Sequence, residues 1–237
     1  MRKLLYAERY KLFHDHIFWI TIVVVIAFNL IVISGSTILS MPGYKALSEI
    51  MKKEILTILI SCIYAGLFIG GDFADRTLYH SLMSGESRGA VLLAKAGIFL
   101  SAINVILFIF PLLLVIICTA NNGWGIALST NLILHLIGLI FAMLILGSSI
   151  GVLSLLAAVC FRDVGRTIGI PIILYFVMIL LLNGPFATVL AHIFPAGTLI
   201  LMVSGTISPA YGILVGIIWL TFLFIISSLI FQRAELS

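Results

Sequence analysis

The sequence predicts an all-α membrane protein with six transmembrane helices, on three observations. Of its 237 residues, 62% are hydrophobic and only 9% are charged, against roughly 25% charged in ordinary soluble domains. That leaves too little polar surface to cover a water-soluble core. Six apolar stretches reach or approach the roughly 20 residues a helix needs to cross a hydrocarbon core of about 30 Å. No stretch shows the ten-residue alternation of a membrane barrel, and only helices or closed barrels satisfy every backbone hydrogen bond in lipid.

Residues 1–16 come before the first span. Arg2–His16 mixes Leu4, Leu5, Tyr6, Leu12 and Phe13 with charged side chains. This predicts a short interfacial helix with its basic residues near anionic headgroups, a simple polar leader being the alternative. The spans follow as Ile17–Leu39, Ile55–Gly71, Ala90–Ala120, Ile126–Phe161, Thr167–Asn183 and Ala210–Phe231. The first is too long for the apolar core of a secretory signal and has no convincing cleavage pattern at Ser34-Gly35-Ser36, so it reads as a retained helix. The third and fourth are too long to cross perpendicularly, and should tilt, protrude or break. Gly147 and Gly151 give the fourth a small-xxx-small spacing that allows close helix approach. Between the fifth and sixth, Gly184–Pro209 has no formal charge. Its apolar pieces Phe186–Phe194 and Thr198–Val203, punctuated by Pro185, Pro195 and Pro209, are too short to cross. Two short helices dipping back into the outer leaflet fit this better than a solvated loop.

The formal charge of +4 comes from 13 basic and 9 acidic residues. No basic patch is interleaved with exposed aromatics, which argues against nucleic acid. With a cytoplasmic N-terminus, that side holds Arg2, Lys3, Arg9, Lys11, Arg76, Arg88, Lys95, Arg162, Arg166 and Arg233, and the other only Lys45, Lys52 and Lys53. Both termini are therefore expected inside. Cys62, Cys118 and Cys160 have neither metal-ligand spacing nor a disulfide framework and read as small hydrophobes.

Enzyme signatures are missing: no G-x-x-x-x-G-K-[ST], H-E-x-x-H or G-x-S-x-G motif occurs. The chain is expected to be no enzyme, with no ATP-hydrolysing site and no bound metal or cofactor of its own. Every formal charge reads as lying at or outside a span end, which disfavours ion-coupled carriage. His135 is the one ionisable side chain expected well inside a span. With Asn29, Asn104 and Asn183 it could line a substrate path, although helix-to-helix hydrogen bonds explain such residues as well.

The stretch Gly70–Ala90 is the most informative. Gly70 and Gly71 can end the second span, Asp72 can cap a following helix, and Asp75 would sit near that helix's positive end. Phe73, Leu78 and Leu82 offer apolar contacts on a short helix that stops at Ser84-Gly85. Ser87 can cap the third span, with Arg88 and Lys95 reaching headgroups from its inner end. A short, capped, amphipathic helix between two long spans is what docking to a cytoplasmic partner requires; a mere interfacial turn is the other reading.

The pattern Phe73…Arg76-Thr77-Leu78…Leu82-Met83-Ser84-Gly85-Glu86-Ser87-Arg88…Lys95 resembles the ABC-2 family of transporter permeases. So do Ala7–Leu12 leading into an aromatic-rich first span, the six spans and the uncharged outer hairpin. Chain size and the loop-poor layout look most like the small bacterial permeases of lantibiotic- or bacitracin-type self-protection. The resemblance implies one permease domain over residues 1–237 in a bacterial plasma membrane, paired with an identical or related permease chain. Two cytoplasmic ABC ATPase subunits would bind the ATP and Mg. It implies an elbow helix at Arg2–His16, a coupling helix at Asp72–Ser84 and re-entrant helices at Gly184–Pro209. ATPase coupling would fall to Asp72, Phe73, Asp75, Arg76, Thr77, Leu78, Leu82, Ser84, Gly85 and Arg88, with Arg162, Asp163 and Arg166 in the Phe161–Arg166 turn as a second contact. The implied activity is ATP-driven export of an amphipathic or peptide-like substrate. A stand-alone secondary transporter or channel is the alternative, disfavoured by the lack of any detectable inverted repeat.

Overall fold

Among the described residues of the computed structural model, six helices are long and apolar enough to cross a membrane: His16–Ser34, Thr57–Ala74, Arg88–Asn122, Leu132–Phe161, Val164–Leu182 and Pro209–Arg233. The structure describes residues 2–51, 55–75, 77, 83, 85–126 and 129–233, and among these there is no strand. The chain is an all-α, multi-pass membrane protein. The N-terminal helix Arg2–His14 precedes the first span, and Asp15 separates them, its carboxylate accepting from the Ile17 N–H at 2.9 Å.

The third span runs unbroken from Arg88 to Asn122 through Pro111. At 1.5 Å per residue its 35 residues extend about 52 Å, well beyond a hydrocarbon core of about 30 Å. Its far end is clad by the helix Gly43–Met51, which buries Gly43, Ala46, Ile50 and Met51 and half-buries Leu47. The Gly43 N–H donates to the Gly123 carbonyl at 3.1 Å, which anchors the start of that helix. The fourth and sixth spans form the most extensive helix pair. The Gly147/Gly151 spacing is spent inside the chain: a Cβ on Gly147 would come within 3.0 Å of Asn104 and Leu107, and one on Gly151 within 3.1 Å of Leu100.

The fourth and fifth spans open at Thr130 and Val164 rather than Ile126 and Thr167, and two expected span ends move for a visible reason. The first span ends at Ser34, not Leu39, because the chain turns at Gly35 and forms a 3-10 turn over Thr37–Ser40. The second does not end at Gly70-Gly71. Both glycines are right-handed helical, and the chain passes through a π-helical turn, Gly66–Gly70, into Gly71–Ala74. The glycines serve close approach instead: a Cβ on Gly70 would lie 3.1 Å from the Val164 Cα and 3.3 Å from the Thr167 side chain. One on Gly66 would overlap Ile168.

Gly184–Pro209 holds the two expected short helices, Ala187–Ile193 and Pro195–Val203. The second is seated against the fourth span through Leu199 and against the sixth through Met202, whereas the first buries nothing. Cys62 and Cys118 are buried, Cys160 is exposed, and all three are free thiols.

Candidate functional site

The N-terminal helix places Glu8 and Lys11 on one face, three residues apart, alongside half-buried Leu4 and buried Leu12. That face lies over the ends of the second and third spans. Lys95 sits seven residues into the third span, about 10 Å along its axis, and its side chain is 2% exposed. Its Nζ lies 3.1 Å from Glu8 Oε2 and pairs also with Asp72 Oδ2. Asp72 Oδ1 accepts from Lys11 Nζ and, at 2.8 Å, from Thr77 Oγ1. Beneath the four charges the Phe68 ring takes Lys95 Nζ at 4.9 Å and Lys11 Nζ at 5.7 Å from its centroid, an arrangement favoured by the ring quadrupole. Phe68 in turn stacks on Tyr64 and Phe99.

This cluster corrects three expectations. Lys95 does not reach headgroups. Formal charge does lie within spans, at Asp72 and Lys95. Asp72 lies inside the helical turn Gly71–Ala74 rather than at its cap, and its carboxylate is taken by two lysines and a hydroxyl. A single charge buried here would be strongly unfavourable, but two cations and two anions in mutual contact compensate one another. The physical result is a four-point tie joining the N-terminal helix to the second and third spans.

Further contacts gather at the same basic end of the bundle. Phe73, expected to offer an apolar contact outward, is 5% exposed and packs edge-on against Phe231 at 6.1 Å. Arg88 is half-buried, and its Nη1 donates to the Gln232 carbonyl at 2.9 Å, joining the third span to the sixth. Ser87 caps the third span as expected, accepting from the Ala90 N–H at 3.3 Å. Arg162, left-handed at φ 52°, closes the fourth span. Asp163 opens the fifth by accepting from the Arg166 N–H at 2.9 Å. The close approach of Gly70 to Val164 and Thr167 sets this turn directly beside the second span.

The coupling candidates Asp72, Phe73, Asp75, Thr77, Gly85, Arg88, Arg162, Asp163 and Arg166 thus share one end of the bundle. Asp75, Thr77, Gly85, Asp163 and Arg166 are exposed there, as is Met83 at 83%. Arg76, Leu78, Leu82 and Ser84, and with them most of the segment expected as the Asp72–Ser84 helix, lie outside the described residues.

The four candidate path residues do not converge. Asn29 is buried and donates to the Val25 carbonyl and to Thr57 Oγ1 at 3.1 Å, tying the first span to the second. Asn104 donates to Ser148 Oγ at 2.8 Å between the third and fourth. His135 is exposed on the fourth. Asn183 folds its amide back onto the Ile179 carbonyl. None lines either large cavity.

Sequence reasoning missed Glu8, Lys11 and the Tyr64–Phe68–Phe99 stack. The available signal was Lys95 within the apolar run Val91–Leu100, together with acidic and basic residues on the inward face of the N-terminal helix. A comparison of the chain with protein-family models and with curated proteins finds no match in either.

Proposed function

We propose that the chain is the permease subunit of an ATP-driven ABC exporter in a bacterial plasma membrane, with both termini cytoplasmic. In this reading it has no ATP-hydrolysing site of its own. It forms the pathway with a second permease chain, and two cytoplasmic ATPases supply the ATP and Mg chemistry. The Glu8–Lys11–Asp72–Lys95 tie carries the reading. A push on the segment after Asp72 moves the N-terminal helix and the second and third spans as one body, which is what coupling demands. The N-terminal helix then acts as an elbow and Asp72–Ser84 as the coupling helix. The exposed Asp163–Arg166 turn is a second ATPase contact, and the paired helices of Gly184–Pro209 re-enter the outer leaflet. Coupling requires that ATPase contacts differ between the two permease conformations.

The cargo is amphipathic or peptide-like, as in antimicrobial peptide immunity. An apolar cavity of about 290 Å³ between the fourth, fifth and sixth spans, walled by Tyr175, Met178, Phe194 and Trp219, suits its apolar part. The test is co-purification after expression from the native gene cluster. A nucleotide-binding subunit should accompany the chain, and Met83→Asp with Arg166→Glu should release it while membrane insertion is unchanged. A chain that never recruits such a subunit would overturn the reading.

A stand-alone ion-coupled carrier is the second reading, and the buried Asp72–Lys95 pair is the observation in its favour. Proteoliposomes containing this chain alone, transporting under an ion gradient without ATP, would establish it instead.

A further inference from the structure

A groove of about 410 Å³ opens where the N-terminal helix meets the first and third spans. One wall is Ile98, Ala102, Val105 and Ile109, a stripe at three- to four-residue spacing on one face of the third span; the other is Phe18 and Ile22 of the first. From Ile98 to Ile109 the stripe runs about 16 Å, the depth of one leaflet in a hydrocarbon core of about 30 Å. Arg9 stands at the mouth. Its neighbours Glu8 and Lys11 turn inward to the ionic cluster, whereas Arg9 is exposed and, among the described residues, pairs with no carboxylate. Its guanidinium lies 5.7 Å from the centroid of the Phe13 ring. Trp19, half-exposed on the rim, is fixed by donating from Nε1 to the Phe13 carbonyl at 3.0 Å, as suits an indole at a membrane interface.

A leaflet-deep apolar slot beneath an unpaired guanidinium has the form of one lipid chain beneath one phosphate. We propose that the groove holds an acyl chain of an anionic phospholipid from the leaflet at the basic end, with Arg9 on the headgroup phosphate. The planar guanidinium matches phosphate oxygens in a way a choline headgroup's fixed positive charge opposes. Bound there, the lipid fills the angle between the N-terminal helix and the first and third spans, while the ionic cluster ties that helix to the second and third. This holds whatever the cargo and whatever supplies the energy.

The test is native mass spectrometry of the purified full chain with dioleoyl-phosphatidylglycerol or dioleoyl-phosphatidylcholine. One phosphatidylglycerol per chain should be retained, with about tenfold preference over phosphatidylcholine, as one charged hydrogen-bonded contact would give. Arg9→Gln should abolish the preference, and Ala102→Phe should displace both lipids. No preference in the unaltered chain, or a preference unchanged in Arg9→Gln, overturns the proposal.

A second measurement leaves Arg9 and the groove intact. In a Trp124→Phe, Trp219→Phe chain, phosphatidylglycerol with brominated acyl chains should quench Trp19 more than brominated phosphatidylcholine at equal mole fraction. Equal quenching overturns the assignment. So does disulfide dimerisation of Ser101→Cys in bilayers, since a second copy would then occupy the groove.

Discussion

The two ends of the bundle are held together by different kinds of contact. At the basic end, beside the Arg88 bond to the Gln232 carbonyl, the ties are ionic and run from side chain to side chain: Lys11 to Asp72, Lys95 to Asp72, Lys95 to Glu8. At the hairpin end they are neutral donors on backbone carbonyls. Thr198 donates to the Phe194 carbonyl at 2.9 Å, Tyr211 to that of His192 at 3.2 Å and Trp219 to that of Ile193 at 2.8 Å. The spans themselves differ in burial as well: 67% of the second span's apolar stretch is buried inside the chain, against 17% of the fifth span's. In a low dielectric an ion pair is deep and its charge-assisted hydrogen bonds are exacting in geometry, so the basic end has one favourable register. Neutral contacts and apolar faces tolerate sliding, because lipid tails replace lost packing at little penalty. One end of the molecule is keyed and the other is adjustable.

The strongest way to break this contrast is Lys95→Met. It leaves Glu8 and Asp72 sharing Lys11, and should lower stability by about 3–5 kcal/mol, read as thermal unfolding by circular dichroism in nanodiscs. Adding Asp72→Asn to it should recover part of the loss; a single variant as stable as the parent would mean that the cluster holds nothing. Next in size is Gly70→Leu, which forces the second span off Val164 and Thr167. Its overpacking should cost about 1–3 kcal/mol in the same assay. The smallest effect belongs to the hairpin. Trp219→Phe removes one hydrogen bond of about 0.6 kcal/mol, leaves global unfolding nearly unchanged, and should speed amide exchange locally over 187–193. A global loss as large as that of Lys95→Met would erase the distinction between the ends.

The six spans were legible because an apolar run is a local property, and so were the Ser87 cap and the two-piece hairpin set off by Pro185 and Pro195. Helix Gly43–Met51 also has a local signal, apolar or small residues at 43, 46, 47, 50 and 51. The burial of Lys95 and Asp72 was not legible. Near a span end, lysine and aspartate follow the local rule of reaching for water, and what overrides it is Glu8, 87 residues before Lys95. Gly70-Gly71 failed for a related reason. A glycine pair serves equally to stop a helix or to admit a neighbour, and Val164 and Thr167, which decide the matter, lie more than ninety positions further on.

The distance between Glu8 and Lys95 also orders events during synthesis. At about 5–20 residues per second, the ribosome adds the 87 residues separating them in roughly 4–17 s. Throughout that interval Glu8 lacks its lysine, whereas Asp72, the partner of Lys11, is made ahead of Lys95. The first helix to be made is therefore seated only after the third span has arrived, and seating it neutralises the remaining charges in one step. A chain whose third span inserts out of register leaves that helix loose and Glu8 without its lysine.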